Sequence, residues 1–137
     1  MNTEARKRLL ELAARHPDYS PEAYWLVIAA LNRTVELVRK GVIKPNDAGE
    51  RTAPGGGFHV SGRELLEGFR FHVREQYGGM GLFLLHRWGL RRTEDVGRIV
   101  FALVESGELK RRETDTPDDF ANGYVFEEAF RTGTIPE

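Results

Sequence analysis

Three groups of residues have the types and spacing that could do chemistry. The first lies in residues 52–69, TAPGGGFHVSGRELLEGF, where three consecutive glycines precede His59, Ser61 and Arg63. A phosphate-binding loop needs GxxxxGK followed by Ser or Thr, so that backbone amides and one lysine surround the phosphates. No lysine follows these glycines and no apolar strand precedes them. Ser61 and Glu64 instead have capping-box spacing, in which each side chain bonds the other's backbone amide, and Val60 with Leu65 has that of a hydrophobic staple. The stretch therefore reads as a helix start, and His59 as a loop residue.

The second group is the histidines and clustered carboxylates. His16, His59, His72 and His86 show neither HExxH nor HxH spacing, so no zinc set is expected. Asp115, Asp118 and Asp119 are close together in DTPDDF. A calcium loop needs a longer, regular ligand series, and a solvated acidic turn is the expectation. No GxSxG occurs, and no catalytic residue, metal ligand or cofactor-binding residue is assigned. The third group is basic. Arg87, Arg91 and Arg92 surround one turn, and Lys110, Arg111 and Arg112 follow further on. Guanidinium forks suit phosphate or carboxylate, whereas arginines scattered on a surface are often merely solvated or paired with nearby acids.

The elements that must position these residues follow from hydropathy. The 137-residue chain has 40% hydrophobic and 30% charged residues, enough for one hydrophobic core without staples. Twenty basic residues stand against 21 acidic ones, for a net charge of −1, so whole-molecule attraction to nucleic acid or anionic membranes is not expected. The absence of cysteine excludes disulfides, thiol nucleophiles and thiolate metal sites. The N-terminus is charged and amphipathic, unlike a signal peptide, and AYWLVIAALN and MGLFLLHRWGL are too short to span a bilayer. A cytoplasmic protein without membrane contact is the default.

Residues 3–15 carry Leu9, Leu10, Leu12 and Ala13 at helical spacing, and His16-Pro17 ends the run. Ser20, Pro21 and Glu22 supply an N-cap, a first-turn proline and a dipole-favoured acid for a second helix ending near Gly41. These two helices make a predicted hairpin over residues 1–40. Residues 41–57 hold two prolines and five glycines and are predicted to be a flexible loop. Beyond them come a helix from Ser61 to about Tyr77, a short helix to Trp88, and a helix from Thr93, its candidate N-cap, to Ser106. The stripe of the last is Val96, Ile99, Val100, Leu103 and Val104. ELKRRET and GYVFEEAF read as strands of a terminal hairpin, and residues 131–137 as a frayed tail.

This order of elements predicts a mainly α (α+β) single domain, with the helical hairpin joined to a winged-helix-turn-helix-like lobe over residues 58–130. The outward side of the Thr93 helix is then expected to be Glu94, Asp95, Arg98, Ala102 and Glu105. Two carboxylates in its first turn oppose phosphate and argue against duplex reading by the usual mode. Phe101 lies off the apolar stripe, either packed under the N-terminal hairpin or exposed to a partner.

FHVSGRELLEGFR, HRWGLRRTEDVGRIVFALVESGEL and DDFANGYVFEEAF resemble segments of a small bacterial family of uncharacterised proteins of about this length. The resemblance spans about residues 20–130, and the family often has an aromatic where Val96 stands. It implies a self-contained bacterial domain and carries over no activity, cofactor or site residue. Two functions follow as expectations. One is a non-catalytic interaction or regulatory module binding a protein partner or a second copy. The alternative is nucleic-acid backbone binding through Arg87, Arg91, Arg92 and Lys110, Arg111 and Arg112. Arg98 and Phe101 complete the candidate contacts.

Overall fold

The computed structural model describes residues 3–43, 60–107, 109 and 117–130. Helix α1 (Thr3–Arg15) buries Leu9, Leu12 and Ala13. Helix α2 (Pro21–Arg39) runs through the middle of the fold and is buried on more than one side, through Tyr24, Val27, Ala30, Thr34 and Leu37 among others. Ser20 takes the N-cap position and Pro21 the first turn, as expected, but the Ser20 hydroxyl makes no capping bond. Gly41, at φ +77°, ends α2. Its amide bonds the Val38 carbonyl at 3.1 Å, and that of Val42 bonds Leu37 at 2.9 Å, the left-handed stop that glycine favours. Most of the predicted 41–57 loop, His59 and the 131–137 tail lie outside the described residues.

Helix α3 (Gly62–Tyr77) begins with the expected capping box. Glu64 N–H donates to Ser61 Oγ at 3.1 Å, and Ser61 N–H donates to Glu64 Oε1 at 2.7 Å. The α2–α3 pair is the most extensive helix contact, and its close approach depends on Gly68. A Cβ there would lie 2.6 Å from Thr34 Cβ and 3.0 Å from Thr34 Cα. After a 3₁₀ turn (Gly78–Met80) come α4 (Gly81–Arg87) and α5 (Thr93–Glu105). Val96, Ile99 and Leu103 of α5 are fully buried, whereas Val100 and Val104 of the expected stripe are only half-buried.

The C-terminal segment corrects the predicted fold. GYVFEEAF is not a strand. It contains α6 (Phe126–Ala129), preceded by a 3₁₀ turn (Pro117–Phe120) and a left-handed Asn122 at φ +51°. No strand occurs among the described residues, so the β-hairpin, the wing and the α+β assignment are withdrawn. The physical reason is spacing. Phe126, Ala129 and Phe130 are buried at offsets of three and one, a helical pattern that aromatic β-propensity obscures. ELKRRET, apart from Leu109, lies outside the described residues.

This segment closes the core as a strap. Phe120 wedges between α3 and α5 because both present glycine to it. Added Cβ atoms at Gly62 and Gly97 would stand 3.0 and 2.7 Å from its ring. Phe126 stacks on Phe69 at 6.2 Å, and Phe130 meets both rings edge-on. The half-buried Tyr124 donates its hydroxyl to Leu66 O at 2.7 Å. Thr93 is the first residue of α5 rather than its N-cap. Its hydroxyl donates to Phe120 O at 2.6 Å and accepts from Gly123 N–H at 3.1 Å, so it fastens the strap.

Candidate functional site

The residues with recognition chemistry meet where the α1–α2 corner touches the start of α5. Proline at position 17 turns the chain out of α1, and the corner then docks by its backbone. Ser20 N–H donates to Trp88 O at 3.1 Å. Gly89, at φ +96°, permits the approach, since a Cβ there would come within 2.5 Å of the Asp18 carbonyl. Tyr19 is thereby buried against Tyr24, edge to face at 6.4 Å.

Asp95 joins the two parts. Its Oδ1 accepts from the Tyr19 hydroxyl at 2.5 Å, and its Oδ2 accepts from the amides of Arg91 at 2.9 Å and Arg92 at 3.2 Å. Asp95 is therefore only 8% exposed, which corrects its expected outward position. A carboxylate in the first helical turn turns back onto free amides and favours the positive end of the dipole. Arginine has no acceptor, so only this carboxylate half of a capping box exists at Arg92. Burial, then the hydrogen bond and charge of Asp95, push the Tyr19 hydroxyl well above its usual range, against the opposing effect of Arg98. Tyr19 is thus held as a proton donor to a carboxylate that accepts three hydrogen bonds.

Around this joint two depressions adjoin, sharing Asp18, Tyr19, Glu94 and Arg98. One, of about 450 Å³, is walled by Arg91, Arg92 and Arg98 together with Asp18, Gly89, Glu94 and Asp95. The other, of about 810 Å³, runs along α5 past Gly97, Phe101, Ala102, Val104 and Glu105, facing His16, Tyr19 and Tyr24. The result is a groove with an apolar middle and charged edges. Arg98, with its side chain 72% exposed, sits where the two meet, 3.9 Å from Asp95. Among the described residues, no carboxylate forms an ion pair with Arg91 or Arg92, which are both exposed. Glu94 is drawn aside toward the strap, accepting from Asn122 N–H at 3.3 Å.

Four expected contact residues, Arg91, Arg92, Arg98 and Phe101, are thus brought onto one surface. Phe101 is half-buried. It packs edge-on against Phe120 at 6.1 Å, rather than under the N-terminal hairpin, and its remaining surface lines the groove. Arg87 is exposed but lines neither depression. Lys110, Arg111 and Arg112 lie outside the described residues. The corner residues Asp18, Tyr19 and Tyr24 were not foreseen, because Tyr19 and Asp95 are 76 positions apart and no local pattern links them.

Among the described residues no group of three or more His, Cys, Asp or Glu could hold a metal ion, and no helix is long and apolar enough to cross a membrane. His86 is paired with Glu127 at 3.3 Å, tying α4 to α6. His72 faces α2, where burial lowers its pKa, and its Nδ1 has no hydrogen-bond partner. No protein-family model, curated protein or solved structure matches the chain.

Proposed function

We propose that this chain is a non-catalytic interaction module that binds a protein through the groove between the α1–α2 corner and the outer side of α5. The observation that supports it most is the composition of that groove. Phe101, Ala102 and Val104 form an apolar middle over the buried Tyr24, and Arg98, Glu105 and Asp18 stand at its edges. An apolar centre with a polar rim is the anatomy of protein interfaces, and aromatic and arginine side chains are the usual anchors. Its Tyr19–Asp95 joint keeps the two walls in register before a partner arrives, which lowers the ordering cost of binding.

Phosphate-backbone binding has less support. Arg91, Arg92 and Arg98 share a depression, but Asp18 and Glu94 share it with them and would repel a phosphate chain. Placing a photo-crosslinking residue at Ala102, and separately at Gln76 on α3 outside the groove, tests the proposal in cells. The expected result is one adduct of constant mass from position 102, absent from position 76 and lost with Arg98→Glu. The same adducts from both positions would refute it. Low-salt nucleic-acid binding abolished by Arg91→Glu/Arg92→Glu, and falling steeply with salt, would transfer the surface to the rival reading.

A further inference from the structure

We infer that the partner on this surface is a second copy of the chain, packed antiparallel across a twofold axis between Phe101 and Ala102 of α5. This rests on the interaction-module reading and names its occupant. Glu94, Arg98, Phe101 and Glu105 recur at offsets of four, three and four, so they form one line along the outer side of the helix. The middle of the line is apolar, and the flanks, Arg98 and Glu105, have opposite sign.

Twofold symmetry requires that if residue i meets residue j, then j also meets i. The midpoint of 98 and 105 is also the midpoint of 101 and 102. One antiparallel register therefore sets each Arg98 against the other copy's Glu105 and each Phe101 ring over the other copy's Ala102, a small side chain on this surface. A parallel register would oppose Arg98 to Arg98 and Glu105 to Glu105.

Both charges are open to a further partner, since Arg98 leans on Tyr19 and Asp95 yet keeps most of its side chain in solvent. The nearest carboxylate to Arg98 is Asp95, at 3.9 Å, and it is already engaged by Tyr19 and two amides. Glu105 is exposed and forms no ion pair among the described residues. Glu94 is directed to the Asn122 amide. A uniformly acidic segment would be drawn to Arg98 but repelled by Glu105 and Asp18, and a basic one the reverse. The alternating surface is matched by the same alternation reversed, which a second copy carries. A net charge of −1 sets up little long-range repulsion between copies.

Sedimentation equilibrium on the full chain, up to about 100 μM, where complexes of micromolar Kd are populated, tests the inference. The chain is expected to dimerise. Arg98→Glu and Glu105→Arg, both at exposed positions, should each weaken the dimer about tenfold or more, because each replaces two symmetric attractions with two repulsions. Mixing the two variants should restore association as a heterodimer, and Arg98→Glu/Glu105→Arg should restore the homodimer. Circular dichroism confirms that the variants fold. A monomer throughout the range, a dimer indifferent to both substitutions, or a mixture that stays dissociated overturns the inference. A monomeric chain that still forms the position-102 adduct with another protein overturns self-association alone. A monomer with no adduct overturns the interaction-module reading as well.

Discussion

Replacing Asp95 with alanine should loosen the joint between the N-terminal hairpin and α5, and the structure sets the size of the effect. Asp95 accepts three hydrogen bonds, one from the buried Tyr19 hydroxyl and two from the part-buried amides of Arg91 and Arg92. A hydrogen bond to a charged group contributes about 1.5–3 kcal/mol. Truncation leaves the Tyr19 hydroxyl without its partner, while water can reach the two amides. The expected loss is therefore about 3–4 kcal/mol rather than the full sum of three bonds. In a domain of this size that lowers Tm by roughly 10–15 °C. Tyr19→Phe removes one donor and leaves the carboxylate its two amides, so about 1–2 kcal/mol is expected. Urea unfolding of both single variants and the double variant, followed by circular dichroism, closes a thermodynamic cycle. The coupling between the two positions should be about 1–2 kcal/mol. Additive effects, or an Asp95→Ala cost under about 1 kcal/mol, would refute the view that this carboxylate joins the two halves of the groove.

Two further outcomes concern other parts of the fold. Gly68→Ala should destabilise by about 2–3 kcal/mol or more through overpacking, measured by urea unfolding. Its Cβ meets Thr34 Cβ at 2.6 Å and Thr34 Cα at 3.0 Å, so adding Thr34→Ala should recover only part of the loss. A neutral Gly68→Ala would mean that α2 and α3 are not in close contact here. For His72, burial holds the pKa below the ordinary 6.5, with Glu75 opposing and Arg33 adding to the effect. As pH falls through about 6.5, the unfolded chain takes up the proton before the folded chain does. Stability should then decline from about pH 7 toward pH 5.5 and recover on raising the pH. His72→Gln should flatten that decline relative to the parent, and equal slopes in the two proteins would dismiss it.

Much of the helical framework was legible because its signals are local. The Ser61–Glu64 capping box, the stop at Gly41 and the buried part of the α5 stripe, Val96, Ile99 and Leu103, all depend on residues within a turn or two of each other, and all are present. The strap was not legible. YVFEEAF has strand-like composition, and its helical spacing covers barely one turn. Its placement also depends on Thr93, Gly62 and Gly97, which lie far away in the chain and whose value is the room they leave for Phe120.

The candidate site was legible only in part, through Arg91, Arg92, Arg98 and Phe101, for a related reason. Helical periodicity alone put Asp95 beside Glu94 and Glu105 on the outer side of α5, and that made the surface look predominantly acidic. Tertiary bonding removes Asp95 to the joint with Tyr19 and turns Glu94 toward Asn122. What remains in the middle and C-terminal part of the line is Arg98, Phe101 and Glu105, balanced in sign about an apolar centre. Withdrawal of these two carboxylates therefore changes the character of the surface. A surplus of acid disfavours both phosphate and a like-charged copy, whereas a balanced pair still disfavours phosphate but no longer opposes a second α5. The case for self-association thus depends on Asp95 being an internal acceptor, and the Asp95–Tyr19 cycle bears on the interface as directly as it does on the fold.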